Sequence, residues 1–207
     1  MPTTEAVVDV ELLPLRIQTF QVMVRGITPV IHHRFSEKAK EQIEAKQQKK
    51  SKDAKPVRKP KAEFLASMYT FPGSKAGEKN AKYGLPALWF KQCAIAACSH
   101  VSGITKVLAR GAFHIMDDEG GLVRLKSKAP RMREDAVRIG MGITDLRYRA
   151  EFSDWSCSLA IRYNASVITP GQIINLLNVG GFASGVGEMR PSQKCSGQYG
   201  MFEVVTS

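Results

Sequence analysis

An α+β fold, with two helices on one face of an antiparallel sheet, is what this sequence predicts. Three observations lead there: apolar–polar alternation in segments 17–26 and 155–163, two helical segments that each open on a proline, Pro86 and Pro170, and the order strand, helix, several strands, helix, strand. The chain has 207 residues, 43% hydrophobic and 24% charged, enough to bury a core and too apolar for disorder throughout. We expect one domain over 1–207 carrying two insertions, a mobile basic arm at 34–62 and an arginine-rich segment at 124–149.

The elements follow in order. IQTFQVMVRG, Ile17 to Gly26, alternates as a half-buried strand does. Thr28, pushed away from helix by Pro29, begins an irregular extended stretch through Val30, Ile31, His32 and His33. Ser36 is placed to cap a helix reaching about Gln48, and 49–61 is nearly free of apolar residues. A short helix is expected at Glu63–Tyr69, then a loop of turn formers, PGSKAGEKNAKYG. Pro86 opens the best helix, running to Val101 with Leu88, Phe90, Ala94, Ile95, Ala97 and Cys98 inward and Gly103 beyond its end. Ala112–Ile115 and Leu122–Leu125 flank Met116–Gly121 as a hairpin would. Asp145–Phe152 and Trp155–Tyr163 read as strands joined at Ser153–Asp154. Thr169 caps a second helix with Pro170 in its first turn, ending at Gly180–Gly181, and a glycine-bearing loop leads to a last strand, Gln198–Val205. This order suits a ferredoxin-like or RRM-like sandwich.

The formal net charge is +11, from 30 Lys+Arg and 19 Asp+Glu. It is concentrated. Residues 34–61 hold 11 basic and 4 acidic residues, a net +7, and residues 124–149 hold 8 and 3, a net +5. Lysine and arginine supply most of the sequence-independent affinity for nucleic acid, and arginine also forks onto phosphate and stacks on bases. An acidic protein surface is the competing partner class. No apolar run approaches the roughly 18 residues of a membrane span. Acids at Glu5, Asp9 and Glu11 stand where a secretory signal carries bases, so the expected location is the cytoplasm. Cys93, Cys98, Cys157 and Cys195 are too few and scattered for a disulfide framework or a zinc knuckle, so neither metal nor cofactor is expected.

The C-terminal loop GGFASGVGEMRPSQKCSGQYG has more glycines than one turn needs. Glycine lets backbone N–H groups approach a phosphate, which favours ligand contact over a purely structural turn. It is no Walker loop, lacking Gly-Lys-Ser/Thr, and no dinucleotide fingerprint, since the chain enters it from a helix.

This helix–glycine loop–strand ending resembles the RAMP superfamily, the RRM-like RNA-binding backbone subunits of CRISPR effector complexes. Tyr83-Gly84-Leu85-Pro86-Ala87-Leu88-Trp89-Phe90-Lys91-Gln92-Cys93-Ala94 is similar to the entry of that family's first helix, and Gly26-Ile27-Thr28-Pro29-Val30 to the end of its first strand. The pattern departs from the family around Gln92 and Ala97 and in a longer glycine loop; the basic arm has no counterpart. The resemblance implies a subunit, of a complex or standing alone, that assembles as a linear or helical oligomer along single-stranded DNA or RNA.

Phosphate contacts are then expected from Lys49, Lys50, Lys52, Lys55, Arg58 and Lys59 of the arm, from Arg131, Arg133, Arg138, Arg147 and Arg149, and from Lys91, Gly185, Gly187, Arg190, Lys194 and Gly197. Tyr199 and Tyr148 are the stacking candidates, while Phe202 fits the core better. Non-catalytic binding is the leading reading. A metal-independent endoribonuclease is the alternative, with His32 or His33 as general base, because RAMP-type processing ribonucleases can carry a base after the first strand. An adaptor or inhibitor for an acidic protein is the third. Asp117, Asp118 and Glu119 beside two glycines read as a solvated turn.

Overall fold

The computed structural model describes residues 14–35, 44, 48, 58–139 and 143–205, without the side chains of 138, 139 and 143. Lys49, Lys50, Lys52 and Lys55, the Arg138 side chain and the helix expected from Ser36 lie outside them.

Strand β1 (Ile17–Gly26) sits inside a four-stranded antiparallel sheet with β4 (Phe113–Met116), β8 (Ser156–Asn164) and β9 (Phe202–Val205), in the order β4-β8-β1-β9. Helix α2 (Ala87–Ala97) lies in the chain between β1 and β4, and α4 (Pro170–Ala183) between β8 and β9. The six elements trace β-α-β-β-α-β, the ferredoxin-like arrangement, so the α+β class and its subtype hold.

The core explains the pattern. Val22 and Val24 of β1, and Cys157, Leu159, Ile161 and Tyr163 of β8, point inward at alternate positions. They meet Phe90, Ala94 and Ala97 of α2 and Ile173, Leu176 and Leu177 of α4. Each large apolar side chain so buried contributes about 1.5–3 kcal/mol. α4 begins with a capping box in which Thr169 Oγ1 accepts from the Gln172 amide at 3.3 Å and Gln172 Oε1 accepts from the Thr169 amide at 2.9 Å.

Gly180 and Gly181 do not end this helix. A Cβ on Gly180 would stand 2.6 Å from the Cys93 carbonyl oxygen of α2, and one on Gly181 would stand 2.1 Å from that of Phe202. These glycines let α4 press onto a helix and a strand at once, at the cost of about 1 kcal/mol each in propensity. Leu88 also departs from expectation: it is 61% exposed, on the outer side of α2.

The remaining elements are insertions into this frame. β2 (Val30–His32) forms where an irregular stretch was expected and pairs with β7 (Ile143–Phe152), which pairs with β6 (Arg131–Ile139). α1 (Pro60–Ala66) packs on β7, where Ser67 Oγ accepts the Ala150 amide at 3.0 Å. β3 (Gly84–Pro86) pairs with β5 (Leu122–Arg124). A short helix that was not expected, α3 (Lys106–Ala112), is capped by Thr105.

One expected hairpin is corrected, and one connection crosses between sheets. β4 and β5 flank the Asp117–Gly121 turn yet join different sheets, and β7 and β8, joined at Ser153–Asp154, also separate. Asp154 takes φ 49° and the buried Trp155 follows it, its indole Nε1–H donating to the Thr28 carbonyl at 2.8 Å. The anchored indole lets the chain leave one sheet and enter the other.

Candidate nucleic-acid interface

The arginine-rich segment forms most of a hairpin, and its register decides what the arginines do. Arg131 faces Glu151, Arg133 faces Arg149, and Asp135 faces Arg147 across β6 and β7. Residues two apart on a strand share a face, so all six lie together. Arg131 Nη2 is 2.7 Å from Glu151 Oε1; Arg133 is 2.6 Å from both Glu151 Oε2 and Asp135 Oδ1; Arg149 Nη1 is 3.6 Å from Asp135 Oδ2. Arg147 pairs with Asp145 at 2.9 Å, and Arg58 with the same carboxylate. The side chains of Asp135, Arg149 and Glu151 are only 6–7% exposed. These arginines were expected on phosphate; all five instead hold carboxylates within the fold, and only Arg131 is largely in solvent.

The glycine loop locks onto this network through Glu188. Its carboxylate is 3.2 Å from His33 Nδ1 and 4.0 Å from Arg149 Nη2, and its amide donates to the Ile31 carbonyl at 3.0 Å. The hydrogen bond from His33, with the charges of His33 and Arg149, holds its pKa down at about 2, against the opposing pull of burial. Tyr199 lies under Arg133, whose guanidinium is 4.5 Å from the ring centroid.

The loop's glycines have internal reasons. Gly185 and Gly187 have φ of +65° and +78°, and a Cβ on Gly187 would be 2.7 Å from the Ile31 carbonyl oxygen. At Gly197 it would collide with the Met189 carbonyl. Arg190 turns back on the loop, donating to the Gly187 carbonyl at 2.8 Å and to Ser192 Oγ at 3.1 Å. Lys194 is exposed. Between the loop and α2 lies a cleft of about 210 Å³ lined by Trp89, Gln92, Cys93, Ser184, Gly185 and Arg190. The Cys93 thiol there is pushed up to about 12 by burial, which favours its protonated form.

Lys91 does not reach the surface. Its ammonium donates to the carbonyls of Ala109, at 2.8 Å, and Phe113, and sits 3.8 Å from the Phe113 ring centroid. Desolvation lowers its pKa to about 8. It fastens the end of α3 to α2, which removes it from the expected phosphate contacts.

The histidine pair is also split. His32 is fully buried among Tyr69, Trp89 and Phe152, its Nδ1 accepting the Tyr69 amide at 3.3 Å, and burial drives its pKa to about 3. A neutral imidazole closed off from solvent cannot take a proton from a bound 2′-hydroxyl. His33 is engaged by Glu188. Among the described residues, no three His, Cys, Asp or Glu side chains come together to hold a metal ion.

A larger concavity, about 680 Å³, was not foreseen. It lies between α1, the 74–82 loop and residues 124–130, with Lys79, Arg124, Lys126 and Lys128 around Phe64 and Tyr83. Its signal in the sequence lies in the lysines of the loop before Tyr83, which are fewer than the arginines of 124–149.

No family model matches this chain, and no curated protein matches it. Among solved structures, one described as "Crystal structure of Cmr6 from Pyrococcus furiosus" is similar over 93% of this chain and 100% of its own, with a TM-score of 0.44 and 9% sequence identity.

Proposed function

We propose that the protein is a non-catalytic, single-stranded nucleic-acid-binding protein that self-associates along its ligand. The observation carrying this reading is where the excess of positive charge remains once the ion pairs are drawn. The acids of the β6–β7 face are spent on neighbouring arginines. Exposed cations elsewhere, among them Arg34, Lys61, Lys79, Arg124, Lys126 and Arg162, make no ion pair among the described residues. Such a surface attracts a polyanion by releasing its counterions. The resemblance of the glycine loop and the Tyr83–Ala94 segment to RAMP backbone subunits points the same way.

Support for self-association comes from the uncovered face of the four-stranded sheet, where Met23, Met116 and Val205 are 39–40% exposed. With His32 fully buried, the ribonuclease reading would rest on His33, which is paired with Glu188. Fluorescence anisotropy of matched single-stranded DNA and RNA, with sedimentation of the complexes, tests the proposal. Binding should weaken with a log–log salt slope of about −0.7 per phosphate contact, and complexes should grow with oligonucleotide length. Salt-independent binding, or none to either strand, overturns it.

A further inference from the structure

We infer that the groove between α1, the 74–82 loop and residues 124–130 is a nucleotide-binding groove, taking a base of the single strand on its apolar floor and the adjoining phosphates at its cationic rim. This rests on the single-strand-binding reading and assigns it a place. The groove's volume, about 680 Å³, is within the span of about 300–1,000 Å³ common for small-ligand sites. Phe64 and Tyr83 are half-buried in its floor above the buried Met68. Lys79, Arg124, Lys126 and Lys128 stand exposed around it, against the acid Glu78. Flat rings beneath a ring of cations match a nucleotide, because every base has a face to stack and every linkage a charge.

The walls are already set. The Tyr83 hydroxyl accepts the Gly77 amide at 3.2 Å, and Ser74 Oγ accepts that of Lys82 at 2.7 Å, so the loop is tied down at two points. Across the groove, the Arg124 amide donates to Asp118 Oδ2 at 2.7 Å while its guanidinium lies over Phe71, 5.5 Å from the ring centroid. Lys128 bridges Asp154 at 2.5 Å, but both are widely exposed, 73% and 65%, and a phosphate can replace that carboxylate. A preformed groove spares the ordering cost that weakens binding to mobile loops.

The open face of the four-stranded sheet offers no equivalent. Its outward positions include Thr19, Gln21, Met23, Ser158, Ala160 and Arg162, and no Phe, Tyr or Trp stands among the outward residues of those strands. Of these two surfaces, only the groove therefore offers rings for a base to stack on.

The test compares the full chain with Lys79→Glu/Lys126→Glu and with Lys106→Glu/Arg110→Glu, an equal charge reversal on α3. Oligouridylate and oligothymidylate of equal length are the probes, read by anisotropy across salt, and 4-thiouridine cross-links are mapped by mass spectrometry. The groove variant should bind about tenfold more weakly, with a salt slope shallower by about 1.4, while the α3 variant changes by less than about threefold. Cross-links should fall in the peptides bearing Phe64 or Tyr83. Normal binding by the groove variant, equal losses in both variants, or cross-links confined to other peptides overturn the groove while leaving the single-strand reading intact. Absence of binding by the unaltered protein at low salt overturns both.

Discussion

Residues 124–128 and 131–149 adjoin in the chain, and both are rich in basic residues, yet the fold uses their charges in opposite ways. In the first stretch Arg124, Lys126 and Lys128 project from a short strand and the loop after it, with solvent on their outer side. In the second, Arg133, Arg147 and Arg149 stand on paired strands whose register sets each beside a carboxylate. Net charge is a sum over a segment and says nothing of pairing. Strand period and register decide which charges remain available to a ligand.

Breaking the arginine side should have the largest effect, and on stability. Arg149→Met removes a buried cation and strips partners from Asp135 and Glu188, so urea unfolding should show a loss of about 3–5 kcal/mol. Oligonucleotide affinity per folded molecule should stay within about threefold, since no phosphate contact is lost.

Acid should separate the two regions next. Glu188 has its folded pKa lowered to about 2, from 4.5, and His32 to about 3, from 6.5. In both windows the unfolded chain binds the proton that the fold refuses, so stability falls as pH drops from about 6.5 for His32 and from about 4.5 for Glu188. Each group adds a slope of up to about 1.4 kcal/mol per pH unit in its window. Denaturant melts at stepped pH should show this decline, and His32→Phe should flatten its upper part.

Lys91 sharpens the contrast as a cation neither paired with an acid nor open to a ligand. Between its folded pKa of about 8 and the ordinary 10.5, only the unfolded chain holds the proton, so stability should rise with pH there. Lys91→Met should abolish that rise and cost about 1–3 kcal/mol at neutral pH by leaving the Ala109 and Phe113 carbonyls without their donor. Both are measured by thermal melts across pH. The smallest effect belongs to Arg131→Ala. Its side chain is 77% exposed, and losing its pair with Glu151 should cost less than about 1 kcal/mol in urea unfolding.

How much of this was legible in the sequence follows the same division. β1 and β8 announced themselves because one face of each is buried and the other wet, and α4 announced its start through Thr169 and Pro170. β6 was hidden because RMREDAVRI places charges on both faces, so no apolar alternation betrays a strand. Gly180–Gly181 misled, since the close approach of two neighbouring backbones outweighs helix propensity and cannot be seen locally. α3 is a seven-residue turn of chain whose exposed Val107 and Leu108 blur its pattern.

The sequence shows an excess of charge but not where on the fold that charge stays free. Excess charge and the loop glycines pointed to a polyanion, but the packing around Gly187 and Gly197 and the inward turn of Lys91 depend on contacts far apart in sequence. His32 read as part of an irregular stretch because the three-residue β2 that buries it is too short to show a period.

The measurement that tests the account most directly is differential labelling of lysine and arginine, with an acetylating reagent and a dicarbonyl, read by mass spectrometry with and without single-stranded oligonucleotide. Lys79 and Lys126 should react in the free protein and be protected by the strand, while Arg133 and Arg149 should stay unreactive in both samples. Labelling of Arg133 and Arg149 in the free protein that is lost on adding the strand, with Lys79 and Lys126 unchanged, would contradict it.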